Sequence, residues 1–204
     1  IVLVTSRNPM GIQRFLHRSE KYMRSVLAGA KGWIFMNHYQ AYGPPTGGVS
    51  PVIPAVGISY EDGSYLVRLT ERSDEVIVKL RTTDTNYDVD TFNVICDVEP
   101  KDPVDDEYVV VGSHYDGHDI SQGAMDPASG TVTVMEIARV LNKVKKNLNR
   151  RVRCICFGAE EIGLYGSYNY VARHRNEMDK ARFMLNLDSG GSPGKKGVIF
   201  HNFP

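Results

Sequence analysis

An α/β fold, with a mostly parallel sheet covered by helices on both faces and a small α+β unit ahead of it, is what this sequence predicts. Three observations carry the prediction. From residue 92 onward, short apolar runs alternate with helical patterns, the order that builds a parallel sheet. A polar, Asp/Thr-rich stretch, Thr82 to Thr91, reads as a linker separating that half from residues 1–85. In the second half, histidine and acidic residues follow strand-like runs, at the positions where open α/β sheets place their ligands.

Composition excludes several classes. With 204 residues, 42% of them apolar and 24% charged, the chain can bury one large core or two small ones. Lys+Arg and Asp+Glu balance at 24 each, so neither nucleic acid nor an acidic membrane surface is an expected partner. No apolar run approaches the roughly 20 residues that span a bilayer, so no transmembrane segment is expected. The chain opens on Ile1-Val2-Leu3-Val4 with no initiator Met, which suggests a fragment, so a missing signal peptide says nothing about compartment. Cys154 and Cys156 share one strand face and cannot bridge comfortably. With Cys96 they read as small buried hydrophobes rather than as a Cys-x-Cys metal site.

Taken in order, Ile1 to Val4 is a strand, and spacing near the helical period predicts a helix over Ile12 to Ala28, stopped by Gly29 and Gly32. Trp33 to Met36 is a second strand, Tyr39 to Pro54 a Gly/Pro loop, and Pro54 to Ser59 a third strand. Glu61 to Leu69 reads as a short helix, and EVIVKL, Glu75 to Leu80, alternates as a half-buried strand should. His17 and His38 are isolated histidines with surface or structural roles. After the linker, strands are predicted over Phe92 to Val98, Tyr108 to Gly112, Arg153 to Phe157, Phe183 to Leu187 and Val198 to His201. Helices fall over Ser129 to Val144 and Ser167 to His174, the first ending in Lys143, Lys145 and Lys146, which suit the negative helix end.

The chemistry lies at the strand ends. Singly, a His after a strand, an Asp before Pro or a Glu-Glu pair is unremarkable. Together, His114, Asp126, Glu160, Glu161 and Asp188 all sit at predicted strand-to-helix junctions, which converge along one sheet edge. Four carboxylates cannot gather there without compensating charge, because repulsion and desolvation would be prohibitive. One or two dications resolve this, and mixed imidazole and carboxylate donors suit zinc better than calcium or magnesium.

Residues 1–85 resemble the protease-associated domain, through Ala28-Gly29-Ala30-Lys31-Gly32 before a strand and Ile53-Pro54-Ala55-Val56-Gly57-Ile58. In that family the domain is a lid or interaction module without catalytic residues. From residue 92 to 204 the chain resembles the co-catalytic di-zinc peptidases, the family of bacterial secreted aminopeptidases and of glutamate carboxypeptidase. The matching pieces are His114-x-Asp116, Gly123-Ala124-Met125-Asp126 with Ser129-Gly130, Glu160-Glu161-x-Gly163-Leu164-x-Gly166-Ser167, and Asn186-x-Asp188.

The resemblance implies a zinc exopeptidase-like fold and two zinc ions per active site in the full-length protein. His114 and Asp188 would bind one ion, Asp126 would bridge both, and Glu161 would bind the other. Asp116 would accept a hydrogen bond from the far nitrogen of His114, and Glu160 would act as general base. The family's bridging aspartate precedes a cis peptide. Here Pro127 follows, and a cis X-Pro bond costs only about 0.5–1 kcal/mol, so Asp126-Pro127 is expected to be cis. The family's remaining ligand is a histidine further downstream, and His201 comes too early to be that residue. The second metal site is therefore expected to be incomplete in this segment, leaving the isolated segment inactive or feeble.

The implied function is a zinc-dependent metallo-exopeptidase, foremost an aminopeptidase acting on peptides. Carboxypeptidase or dipeptidase activity is the alternative within the same chemistry, and a non-catalytic, receptor-like homologue is the alternative outside it. A protein-interaction fragment built on the first 85 residues explains none of the acidic clusters. An extracytoplasmic or secreted location is an expectation from the resemblance alone.

Overall fold

The computed structural model describes residues 1–189 except 51, 86 and 119. The chain divides into two compact units, Ile1–Asp88 and Val89–Pro204.

The first unit is a three-stranded parallel sheet with helices. Strands β1 (Val2–Thr5), β2 (Trp33–Met36) and β3 (Ala55–Ile58) lie in the order β1-β2-β3. Val4 pairs with Phe35, and Phe35 in turn with Gly57. Helix α1 (Arg18–Leu27) places Tyr22 edge-on against Trp33, with ring centroids 5.4 Å apart, and Trp33 stacks on Phe35. Burying a phenol requires a partner for its hydroxyl. Tyr22 donates to the Ile53 carbonyl at 2.9 Å and accepts from the Ile53 amide at 2.7 Å, so the core aromatic also pins the loop before β3.

Helix α1 starts later than the apolar spacing predicts. His17 occupies its N-cap, where the ring Nδ1 accepts from the Ser19 amide at 3.3 Å, and residues before it follow no helical path. Helix α2 (Tyr60–Arg72) runs three residues beyond the predicted end and is capped by Ser59 accepting from the Asp62 amide. The Glu75–Leu80 segment is the one strand prediction among the described residues that fails. It alternates half-buried Val76, Val78 and Leu80 with exposed neighbours, yet no strand pairs with it. Alternation reports that one face is covered, and a strand also needs a hydrogen-bonded neighbour.

The second unit holds a four-stranded sheet in the order β4-β6-β5-β7: β4 (Val94–Val98), β5 (Tyr108–His114), β6 (Arg151–Phe157) and β7 (Ala181–Asn186). β5 runs parallel to both β6 and β7, and β4 pairs antiparallel with β6. Helix α3 (Ser129–Lys143) covers one face, packing Val134, Ile137 and Ala138 against Val111 and Cys154. Helix α4 (Tyr165–Arg173) serves the other, where Tyr170 joins Tyr108, Val110, Ile155 and Phe157. Period-two alternation along β5 and β6 thus feeds two separate cores. The strand predicted over Val198 to His201, and His201 itself, lie outside the described residues.

One charged residue belongs to this interior. Arg153, only 7% exposed, forks onto both Asp97 oxygens at 2.8 Å, reaches Glu177 at 2.8 Å and lies over the Tyr108 ring. It ties β4 and β6 to the turn ahead of β7 with every contact charge-assisted or aromatic.

Candidate metal centre

The parallel strands deliver the site at their carboxyl ends. His114 is the last residue of β5 and is 4% exposed. Its carbonyl accepts from the hydroxyls of Ser113 and Thr131, the latter on the first turn of α3, so the backbone that carries the ring is fixed. Glu160 and Glu161 follow β6 by three and four residues, and Asp188 stands two beyond β7. Asp126 lies in the kinked segment Ala124–Ala128 that leads into α3, its own backbone extended at φ −117° and ψ 101°, and its peptide bond to Pro127 is cis, in line with the sequence-based expectation.

These elements bring two predicted carboxylates onto one nitrogen of a third predicted residue. Nε2 of His114 lies 2.9 Å from Asp188 Oδ1 and 3.1 Å from Asp126 Oδ1. Donor atoms bound to one tetrahedral zinc at roughly 2.0 Å lie about 3.3 Å apart. The trio is therefore already near the spacing that a shared cation requires. His114 also groups with Glu160 and Glu161, one donor atom from each within 4.8 Å of the others. Glu160, His114 and Asp188 line a small cavity of about 140 Å³, walled by Phe157, Leu164 and Met184.

Asp116 does a different job from the one expected. Nδ1 of His114 meets the Asp116 backbone carbonyl at 2.8 Å, while the nearest Asp116 carboxylate oxygen is 3.6 Å away, too far for a hydrogen bond. The carboxylate instead accepts from the Glu160 amide at 3.0 Å and the Glu161 amide at 3.1 Å. A short loop after β5 thus orients the imidazole through its main chain and holds the β6 loop through its side chain. Asn93 secures the same β6 loop from β4's side, accepting from the Gly158 amide and donating to the Gly166 carbonyl.

The electrostatics are those of carboxylates crowded into a partly buried pocket. Burial pushes the Glu160 carboxyl above its ordinary range; the nearby His114 pulls it back, and Glu161, Asp188 and Asp116 push it up further. Burial raises Glu161 likewise, against the pull of His118. For His114 burial is the largest influence and lowers the imidazole, but the Asp188 bond, the Asp116 carbonyl and the neighbouring carboxylates outweigh it, and the net shift is upward. Glu161 Oε1 is buried and has no hydrogen-bond partner among the described residues. An orphaned, buried carboxylate oxygen beside a His–Asp–Asp trio fits a divalent cation, and the mixed nitrogen and oxygen donors fit zinc.

Sequence reasoning missed His118. Its Nε2 lies 3.0 Å from Glu161 Oε2. The signal available was a second histidine four residues after His114, in the same loop.

Comparison with known proteins agrees with this geometry. Residues 93–203 match the model of peptidase family M28 and residues 1–66 that of the PA domain. Aminopeptidase YwaD of Bacillus subtilis (strain 168) is 36% identical over 181 residues, covering 87% of this chain and 38% of the relative. Carboxypeptidase Q of Rattus norvegicus is 30% identical over 142 residues, covering 69% of this chain and 30% of the relative. Among solved structures, a zinc aminopeptidase from Bacillus subtilis superposes with a TM-score of 0.63 at 33% identity, covering 93% of this chain and 43% of that one. An aminopeptidase from Aneurinibacillus sp. strain AM-1 gives 0.61 at 28% identity, covering 94% and 46%. The chain spans less than half the length of each of these relatives. On the family match and the shared fold together, the chain belongs to peptidase family M28, with a PA domain ahead of its peptidase part.

Proposed function

We propose that this chain carries the zinc-binding and general-base half of an aminopeptidase centre. The observation that supports it most strongly is the placement of Asp126 and Asp188 on one nitrogen of a buried histidine, with Glu160 lining the same cavity. In this reading His114, Asp126 and Asp188 would hold one zinc, with Asp126 and Glu161 as the residues that would hold a second. The chemistry zinc supplies when bound is Lewis acidity toward the scissile carbonyl and the attacking water.

The chain's own residues do the rest. Glu160 accepts a proton as the water oxygen bonds to the carbonyl carbon, and returns it to the amine nitrogen as the C–N bond breaks. Its burial, which raises its proton affinity, suits it to both steps. Asp116 keeps Glu160 on station through the amide it accepts. The β5 loop carbonyl on Nδ1 holds the His114 ring with Nε2 turned to the carboxylates.

The test is Glu160→Gln in the full chain, assayed on an aminoacyl anilide with zinc measured alongside. The expected outcome is loss of hydrolysis by at least about a hundredfold, the usual weight of a general base, with zinc content unchanged. Undiminished hydrolysis would refute the role. The carboxypeptidase name of one relative favours a second reading, in which a free C-terminus is recognised. Paired peptides blocked at one end or the other separate the two, the aminopeptidase reading requiring that only a free amine supports turnover.

A further inference from the structure

The loop after β5 grips the Glu160–Glu161 turn at three points. Two are the amides of Glu160 and Glu161, both accepted by the Asp116 carboxylate. The third is a side-chain contact that the proposed chemistry leaves unused, His118 Nε2 to Glu161 Oε2 at 3.0 Å. A neutral imidazole has one N–H, and against a carboxylate that N–H must sit on Nε2. His118 is partly buried and the Glu161 side chain is only 12% exposed. With Oε2 engaged, Oε1 remains as a buried oxygen with no hydrogen-bond partner among the described residues. A buried carboxylate half satisfied in this way is costly unless a cation meets the other oxygen.

We propose that His118 is a positioning residue for Glu161: its Nε2–H holds Oε2 and so assigns Oε1 as the single oxygen offered to zinc. This rests on the zinc-centre reading given above. It reverses the familiar arrangement in which a carboxylate orients a metal-binding histidine; here a histidine orients a metal-binding carboxylate, by the same logic of fixing a ligand through its other polar atom. Without His118 the Glu161 carboxylate is free to turn or to offer both oxygens, and the site loses its preset geometry. His118 is outside both groups of side chains whose donor atoms cluster closely enough to share an ion among the described residues, which favours orientation over ligation.

The test titrates Zn²⁺, and separately Co²⁺, into the metal-stripped full chain and its His118→Ala and His118→Gln variants, with urea midpoints recorded for all three. The Gln side-chain amide offers a donor where Nε2 stands. The expected result is zinc affinity about 10–100-fold weaker in His118→Ala, recovery of most of that loss in His118→Gln, and the same cobalt absorption bands in all three proteins at saturation. Unchanged affinity in His118→Ala would overturn the proposal while leaving the zinc centre intact. Failure of His118→Gln to recover, with altered cobalt bands in both variants, would overturn it by making His118 a ligand. If the wild-type chain bound neither metal, the zinc-centre reading would fall and this inference with it.

Discussion

The α-carbon of Gly130 is pressed against the Leu187 carbonyl so closely that a methyl group there would come within 1.7 Å of that oxygen and 2.5 Å of the Asp188 carbonyl oxygen. Gly130 opens helix α3 just after the Asp126 turn, and Leu187 precedes Asp188. Both obstacles are backbone, so neither can swing aside. The contact sets the spacing between the segments that carry the two carboxylates on His114.

Gly130→Ala must therefore separate α3 from the end of β7. The expected cost is about 1–3 kcal/mol, typical of overpacking a close contact, read as a lower urea midpoint. Zinc affinity should fall as well, because Asp126 and Asp188 move apart. A variant as stable as the parent and binding zinc equally well would show that the two segments are not locked together here.

Asp116→Asn keeps the size of the side chain but replaces one of two acceptor oxygens with a donor facing an amide. One of the Glu160 and Glu161 amides then loses its partner. For a partly buried group the expected loss is about 1–2 kcal/mol, measured by urea denaturation of the metal-free chain. If Asp116 acted only through its backbone carbonyl on the His114 ring, stability would barely move, since Asn offers the same carbonyl.

The Arg153 network predicts two outcomes. Arg153→Met takes the shared guanidinium from Asp97 and Glu177, whose side chains are 27% and 29% exposed and keep Arg151 at 3.8 Å, and should lower stability by about 1–2 kcal/mol, less than breaking a fully buried pair. The Arg153 bond also holds the Glu177 carboxyl below its ordinary value of 4.5, with the His174 bond acting in the same direction. A depressed carboxyl contributes stability that is complete above the unfolded value and is lost as pH falls through the folded one. The stability gap between wild type and Glu177→Gln should therefore be full at neutral pH and shrink below about 4.5. A gap that stayed constant across that range would remove Glu177 from the acid response.

Much of the fold was legible because its signals are local. Apolar runs such as Tyr108–His114 and Arg151–Phe157 can bury both faces only inside a covered sheet, and His114 ends the first while Glu160 and Glu161 follow the second. What stayed hidden depends on pairing and partner choice. Glu75–Leu80 has a strand's alternation but no neighbour. His17 reads as an isolated surface group until it is seen capping α1. Asp116 was legible as a site residue, but whether its carboxylate or its carbonyl meets the imidazole is a matter of one ångström, which spacing cannot convey. His118 lies two residues past the His114-x-Asp116 motif, and only the folded loop turns it to Glu161.

The proposed centre has His114, Asp126 and Asp188 sharing a zinc ion. Diffraction from zinc-soaked crystals at wavelengths on either side of the zinc absorption edge tests it most directly. The expected outcome is an anomalous peak about 2.0–2.2 Å from His114 Nε2 and from a carboxylate oxygen of each aspartate. A map with no peak there, the three side chains still bonded to one another, or with zinc held elsewhere on the chain, would contradict it.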